Sequence, residues 1–108
     1  MKVNKFKDNK ACPAPANHFD MNGFPVFNSG KAVVGYSFYL PGGGTEMIPA
    51  PLEMYYHVLE GEMTISMETG ETIVLTQGDT IMFEPGDVKK STNTGLGVAR
   101  ILVISVKA

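Results

Sequence analysis

Glycine-containing turns recur at short intervals from Ala32 to the end of the chain and leave only short apolar runs between them. Two of these turns, Pro41–Gly44 and Pro85–Asp87, also contain proline, which fixes the backbone at the start of a turn. The runs are too short for helices of ordinary length, but they suit strands rich in β-branched and aromatic residues. The pattern therefore predicts an antiparallel all-β sandwich or barrel.

Six strands are predicted from these apolar runs. They are Val33–Leu40, Met54–Leu59, Met63–Met67, Thr72–Leu75, Thr80–Phe83 and Arg100–Val106. Residues 1–30 show neither helical nor sustained alternating periodicity, and we expect them to form an N-terminal arm that can contain one edge strand. The predicted organisation is an arm at residues 1–30 followed by a single barrel at residues 31–108.

Charge and composition exclude several classes of function. Nine basic and eleven acidic residues give a net charge of -2, without the basic excess that binding to nucleic acid requires. The apolar runs are too short to span a membrane, and the polar N-terminus does not resemble a secretory signal, so we expect a cytoplasmic protein. The single cysteine, Cys12, excludes an internal disulfide and has no neighbouring histidine to activate it.

Two motifs carry a resemblance to a known family. Residues 41–45 followed by residues 55–63 resemble the first motif of the cupins, and residues 78–89 followed by Asn93 are similar to the second. The resemblance implies a small single-domain cupin, with the jelly-roll barrel, or double-stranded β-helix, of that family. It further implies that function lies inside the barrel.

The first motif departs from the family pattern at its metal ligands. In cupins this motif commonly supplies two histidines and a glutamate that bind iron, manganese, zinc or nickel. Alignment on Gly61 places Met54 at the glutamate position. The histidine positions hold Ile48 and Ala50, or Met47 and Pro49 if the longer motif spacing applies.

The second motif departs in the same way, because Lys89 stands where the family has its later histidine. Glu84 replaces the first proline of this motif, whereas Asn93 is retained. A metal site needs three or four converging N, O or S ligands, and these positions do not supply them. We therefore predict no metal and no cofactor.

Alternation along the strand at residues 53–58 divides its side chains between the two faces of the sheet. It places Met54, Tyr56 and Val58 inside the barrel, and Glu53, Tyr55 and His57 outside it. A one-residue shift or a bulge would reverse this assignment. In that alternative, Glu53 and His57, with His18 from the arm, would form a relocated metal site of an oxygenase-type enzyme.

The predicted interior is apolar except at one basic residue. Its substrate-binding residues are Met47, Ile48, Met54, Val58, Ser91 and Asn93, and its candidate catalytic residues are Lys89, Tyr56 and His18. A lysine in such a place can bind an anion, pair with a carboxylate such as Glu84 or Glu46, lose its proton, or extend to the rim.

Three hypotheses about function follow. The first is that a small, anionic metabolite binds in the barrel and is converted by a metal-independent isomerase, epimerase or lyase. The second is a non-catalytic module that binds or senses such a metabolite, and the third is the enzyme with a relocated metal site. The fold alone does not choose among them. We also predict a homodimer that buries the N-terminal arm and an outer face of the barrel, because Tyr55, His57 and Leu59 form an apolar stripe on that face.

Overall fold

A computed structural model describes all residues, 1–108, as nine β-strands and one three-residue 3₁₀ turn, Phe6–Asp8. The strands are β1 (His18–Asn28), β2 (Ala32–Thr45), β3 (Ile48–Pro49), β4 (Glu53–Glu60), β5 (Glu62–Met67), β6 (Thr72–Thr76), β7 (Thr80–Phe83), β8 (Val88–Thr92) and β9 (Ala99–Val106). The turn at Phe6–Asp8 is the only helical segment, and no helix here could cross a membrane.

The strands form one antiparallel sheet in the order β6-β5-β8-β2-β9-β4-β7. The arm strand β1 pairs with β2, and the short strand β3 pairs with β8. Strand β6 also approaches β4, which brings the two ends of the sheet close together. The sheet therefore curls into an all-β barrel of the jelly-roll type, with the N-terminal arm along one side.

The core follows from alternation along the strands that form the barrel wall. On β4, Tyr56 and Val58 are buried, and on the paired strand β9 Ile101 is buried as well. Strand β5 contributes Met63 and Ile65 to the same interior. These side chains fill the barrel from opposite walls and form one apolar cluster.

At two positions of the first motif the backbone has no room for any residue larger than glycine or adopts a conformation that favours glycine. Gly61 joins β4 to β5 with a φ of +88°, a conformation that side chains with a Cβ rarely adopt. Gly44 lies where β2 crosses close to β8, and a Cβ there would overlap the carbonyl oxygen of Ser91. The glycines therefore set the tight turn and the close contact between strands that shape the barrel.

The six predicted strands are all present, at nearly the expected bounds. The structure adds strands β3 and β8, and it extends β2 to Thr45, through the turn predicted at Pro41–Gly44. Within residues 1–30, β1 runs alongside β2 from His18 to Asn28. The preceding segment is attached through Phe6, whose ring packs against Phe24 and Phe38.

Candidate functional site

A lysine and a tyrosine meet inside the barrel. Lys89 Nζ, on β8, donates a hydrogen bond to the hydroxyl oxygen of Tyr56, on β4, over 3.1 Å. Only 2% of Lys89 and 5% of Tyr56 is exposed to solvent. Strands β2 and β9 lie between β8 and β4 in the sheet, so the contact spans the interior of the barrel. Lys89 therefore points inward and does not extend to the rim.

Aromatic rings surround the Lys89 amine. Its Nζ lies 5.2 Å from the ring centre of Tyr56 and 5.1 Å from that of Phe83. The two rings are themselves in edge-to-face contact, with their centres 5.1 Å apart. Such rings attract a cation through their π-faces, but they do not replace the water that the ammonium group loses on burial.

Burial shifts the pKa of both partners. Desolvation lowers the pKa of the Lys89 amine from its ordinary value of 10.5. The same cause raises the pKa of the Tyr56 phenol to about 12, and the nearby Ser91 hydroxyl offsets part of that shift. The pair thus combines a more readily neutralised amine with a phenol that stays protonated at neutral pH.

The charge of Lys89 is not balanced by a carboxylate. Glu84 and Glu46, the two proposed partners, are both exposed, and neither forms an ion pair. The only ion pair in the protein, between Arg100 and Glu60, lies on the outer face of the barrel. The hypothesis that Lys89 is neutralised by Glu84 or Glu46 is therefore wrong.

Ser91 supplies a third polar group on the same inner wall. It lies two residues after Lys89 on β8 and is completely buried. Its backbone N–H donates to Thr45 Oγ1 over 3.1 Å. Its own Oγ has no partner with hydrogen-bond geometry. A buried hydroxyl without a partner is rare and costly, and it marks a place where a ligand or a water molecule would be stabilised.

Apolar side chains close the barrel around Lys89. Ile48 on β3 and Met67 on β5 flank Lys89 in the sheet, one on each side. Met54 and Ile81 are partly buried and pack against the core. The interior around Lys89 is therefore filled, and none of the four surface depressions is lined by Lys89 or Tyr56.

Asn93 is predicted to contact substrate, but its side chain is hydrogen-bonded to the backbone of β2 and of the loop before β9. Its Nδ2 donates to the carbonyl oxygens of Tyr39 and Gly97, each over 2.9 Å. Its Oδ1 accepts the N–H of Gly95, also over 2.9 Å. With these contacts in place, Asn93 organises the loop and has no free donor for a ligand.

Three further predicted residues lie apart from the Lys89–Tyr56 pair. Met47 is 43% exposed and lies between β2 and β3, outside the barrel interior. Val58 is completely buried among other apolar side chains. His18 is partly buried at the start of β1, where its Nδ1 lies 2.9 Å from the carbonyl oxygen of Ala16, and it makes no hydrogen bond to Lys89 or Tyr56.

The other face of β4 carries the residues of the alternative metal site. Tyr55 donates to Glu53 Oε2 over 2.8 Å, and His57 Nδ1 lies 2.6 Å from Thr80 Oγ1. Both contacts are on the side opposite Tyr56 and Val58, as alternation predicts. No group of three His, Cys, Asp or Glu side chains converges anywhere in the protein, so Glu53, His57 and His18 do not form one site.

The geometry supports the alignment of the two motifs. Ile48 and Lys89, which stand at two family ligand positions, are paired neighbours on β3 and β8. A family model described as "Cupin domain" matches residues 35–105. The chain belongs to the cupin family. The four family ligand positions hold Ile48, Ala50, Met54 and Lys89. Two hydrocarbon side chains, a thioether and an amine do not fit a hard divalent metal.

One curated relative covers nearly the whole chain. It is Beta-D-galactosidase Rv1717 from Mycobacterium tuberculosis, which is 30% identical over 107 residues. The match spans 95% of this cupin and 91% of the relative.

Solved structures share the fold at lower identity. The polyketide cyclase RemF from Streptomyces resistomycificus superposes with a TM-score of 0.85 at 21% identity, over 98% of this chain and 79% of that one. A predicted oxalate decarboxylase from Thermotoga maritima also has a TM-score of 0.85, at 16% identity, over 99% of this chain and 100% of that one. These similarities show the fold alone.

Two residues of the site were not predicted from the sequence. Phe83 is in edge-to-face contact with Tyr56 and faces the Lys89 amine, and Thr45 Oγ1 accepts a hydrogen bond from the backbone N–H of Ser91. Phe83 ends a predicted strand, and alternation along that strand could have placed it inward. Thr45 follows three glycines, directly after the predicted turn Pro41–Gly44, so no sequence signal indicates a buried strand residue there.

Proposed function

We propose that this cupin binds a small anionic metabolite inside the barrel and converts it without a metal, as an isomerase, epimerase or lyase. The observation that carries the proposal is the buried hydrogen bond between Lys89 and Tyr56. A lysine alone in an apolar interior would favour simple binding, whereas an amine and a phenol within hydrogen-bond reach form an acid–base pair.

Recognition of an anion follows from the unbalanced charge. Lys89 has no carboxylate partner, and Ser91 Oγ, which lies near the Tyr56 hydroxyl, has no partner with hydrogen-bond geometry. Tyr56 accepts a hydrogen bond from Lys89, so its own O–H is available to donate to a ligand. A carboxylate oxygen placed among these three groups would satisfy each of them.

The same groups can move protons. The charged form of Lys89 binds the anion, and only its neutral form can accept a proton from a carbon next to a carbonyl or carboxylate group; burial increases the share of that neutral form. Tyr56, with its pKa raised to about 12, stays protonated and can stabilise the oxygen that becomes negative. Removal of a proton from such a carbon is the step shared by many isomerases, epimerases and lyases. An epimerase returns the proton to the other face of that carbon, an isomerase returns it to a different carbon, and a lyase expels a leaving group instead.

A ligand must displace apolar side chains to reach this site. Met54 and Met67 both lie partly exposed against the core, and methionine adapts its shape more readily than branched residues. We therefore propose that ligand entry moves these two side chains.

The test is a thermal-shift screen of small carboxylates and sugar acids, followed by a turnover assay on those that bind. The assay measures whether a carbon-bound proton of the substrate exchanges with heavy water. Exchange that is lost in K89M and retained in K90M would support the hypothesis that the protein is an enzyme. Lys90 is the matched control because it is the exposed neighbour of Lys89 on the same strand. Binding without exchange would support the non-catalytic module, and the absence of any binding acid would contradict both.

The curated relative suggests a second candidate, a β-galactoside as substrate. Most glycoside hydrolases use two carboxylates on either side of the bond that breaks. Here the buried polar residues are Thr45, Lys89, Ser91 and Asn93, which include no carboxylate. Hydrolysis of a nitrophenyl β-galactoside that is lost in K89M but not in K90M would support this candidate. Binding of galacturonate in preference to galactose would instead support recognition of an acid.

A further inference from the structure

The Lys89 amine has more hydrogen-bond donors than the barrel interior can satisfy. An ammonium group has three N–H donors, but only one hydrogen bond leaves Lys89 Nζ, to the hydroxyl of Tyr56 over 3.1 Å. The rings of Tyr56 and Phe83 face the amine without accepting a conventional hydrogen bond, and no carboxylate pairs with it. The charged form of Lys89 is therefore left with unpaired donors in a site that excludes water.

These surroundings suit a nucleophilic amine. A lysine attacks a carbon atom only in its neutral form, and desolvation in an apolar site favours that form. Burial lowers the pKa of Lys89, whereas its neighbour Lys90 is exposed. An iminium ion, the protonated product of an amine and a carbonyl group, has one N–H donor in place of three. That one donor matches the single acceptor, Tyr56.

Tyr56 is placed to carry a proton from the Lys89 nitrogen to a ligand oxygen. Its hydroxyl oxygen accepts the hydrogen bond from Lys89, so its own O–H is free to donate to a carbonyl oxygen beside the amine. Ser91 lies two residues after Lys89 on β8, and its buried Oγ has no partner with hydrogen-bond geometry. A ligand with both a carbonyl and a carboxylate group would use the two hydroxyls at once.

We infer that Lys89 forms an imine with a small oxo acid, a carboxylic acid that also has a ketone or aldehyde group. The inference rests on the proposed function, since it names the substrate class of the same site. Such an acid suits the site because the positive charge of the iminium ion balances the carboxylate. For acids without a carbonyl group, Lys89 keeps the role proposed above.

The bonds and protons of this step balance. The neutral amine forms a C–N bond to the carbonyl carbon, and one of its protons passes through Tyr56 to the carbonyl oxygen, which becomes a hydroxyl group. This hydroxyl takes up the proton that Lys89 released on becoming neutral. The C–O bond then breaks as the nitrogen lone pair forms the C=N bond, and the oxygen leaves as water.

The test treats the full chain with pyruvate and sodium cyanoborohydride, which transfers hydride to an iminium carbon and leaves a stable secondary amine. Tandem mass spectrometry assigns the modified residue, with Lys90 as the exposed internal reference. In the folded protein the carboxyethyl group is expected on Lys89 before Lys90, and in urea on both at equal rates. Equal rates in the folded protein, or no modification of Lys89, would overturn the inference.

Y56F tests the assigned proton path, because it keeps the ring and removes the hydroxyl. We expect slower modification of Lys89 in Y56F and an unchanged rate in Y55F, which removes a hydroxyl from the outer face. Far-UV circular dichroism checks that both variants are folded. A folded Y56F that reacts as fast as the wild-type protein would overturn the role of Tyr56. If Y56F does not fold, the comparison of Lys89 with Lys90 decides alone.

Lactate and acetone separate failure of the imine from failure of the proposed function. Lactate keeps the carboxylate of pyruvate but not its carbonyl group, and acetone keeps the carbonyl group alone. Lactate is expected to slow the modification of Lys89 by pyruvate, and acetone is expected to react more slowly than pyruvate, with each rate taken relative to that in urea.

Thermal shifts with pyruvate and lactate but no adduct on Lys89 would overturn the imine and leave anion binding intact. Modification by acetone as fast as by pyruvate, unaffected by lactate, would instead contradict anion recognition and with it the choice of an oxo acid.

Discussion

Lys89 and Tyr56 come from strands that are not neighbours in the sheet, and they meet over 3.1 Å across the interior of the barrel. The amine is desolvated there without a carboxylate to balance it. The contact therefore carries a cost in stability that depends on the protonation of Lys89, and this dependence can be measured.

The stability of the wild-type protein relative to K89M is expected to rise with pH. Burial lowers the pKa of Lys89 from 10.5 in the folded state, so the unfolded chain binds more protons between the lowered value and 10.5. Below that window Lys89 is charged in both states and the cost of burial is complete. Urea unfolding of both proteins from neutral pH to about pH 10 checks this, and a stability difference that does not change with pH would contradict it.

Tyr56→Phe is expected to destabilise the protein by about 1 to 3 kcal/mol, because the Lys89 amine then loses its only hydrogen-bond acceptor while it remains buried. Tyr55→Phe is the control. It removes a hydroxyl from the neighbouring residue on the outer face, where the bond to Glu53 is only partly buried, so its effect should be well below that of Tyr56→Phe. If chemical denaturation shows the same loss of stability in both variants, the buried hydrogen bond to Lys89 stabilises the protein no more than the bond on the outer face.

Asn93→Ala is expected to destabilise the protein by about 2 to 4 kcal/mol, since two hydrogen bonds to the backbone of the loop before β9 and one to the backbone of β2 are lost together. Asn22→Ala, at an exposed position on β1, should change stability little. Urea unfolding measures both. A destabilisation of Asn93→Ala no larger than that of Asn22→Ala would mean that the loop is held by other contacts.

Much of the fold could be predicted because the outward and inward residues of most strands follow the usual alternation. Strand β8 is the instructive exception. Its inward side chains are Lys89 and Ser91, so the hydrophobic pattern that marks the other strands is missing there. Only the spacing of the second motif indicated that these residues face the interior.

The candidate site could be predicted only in part. Motif spacing identified Lys89 and strand alternation identified Tyr56, but neither could give the distance between two strands that are separated in the sheet. Ile48 and Met67 close the interior around Lys89, and the Asn93 side chain forms hydrogen bonds to the backbone. Both features depend on packing around the whole barrel. Such packing has no local signature in the sequence.

The purified protein is expected to retain no stoichiometric iron, manganese, nickel or zinc. The reason is the chemistry of the side chains at the family ligand positions, which are Ile48, Ala50, Met54 and Lys89. Elemental analysis after dialysis against a chelator measures this. One transition metal per chain that is lost in Glu53→Ala or His57→Ala would contradict it and restore the relocated metal site.

Calorimetric titration of the acid with the largest thermal shift tests whether Lys89 recognises an anionic ligand. A charged hydrogen bond contributes roughly 1.5 to 3 kcal/mol, so K89M should bind this acid about ten- to a hundredfold more weakly than the wild-type protein. K90M should bind it as the wild-type protein does, and wild-type affinity should fall as the pH rises and Lys89 loses its proton. Equal affinities of K89M and the wild-type protein would show that Lys89 does not recognise the ligand.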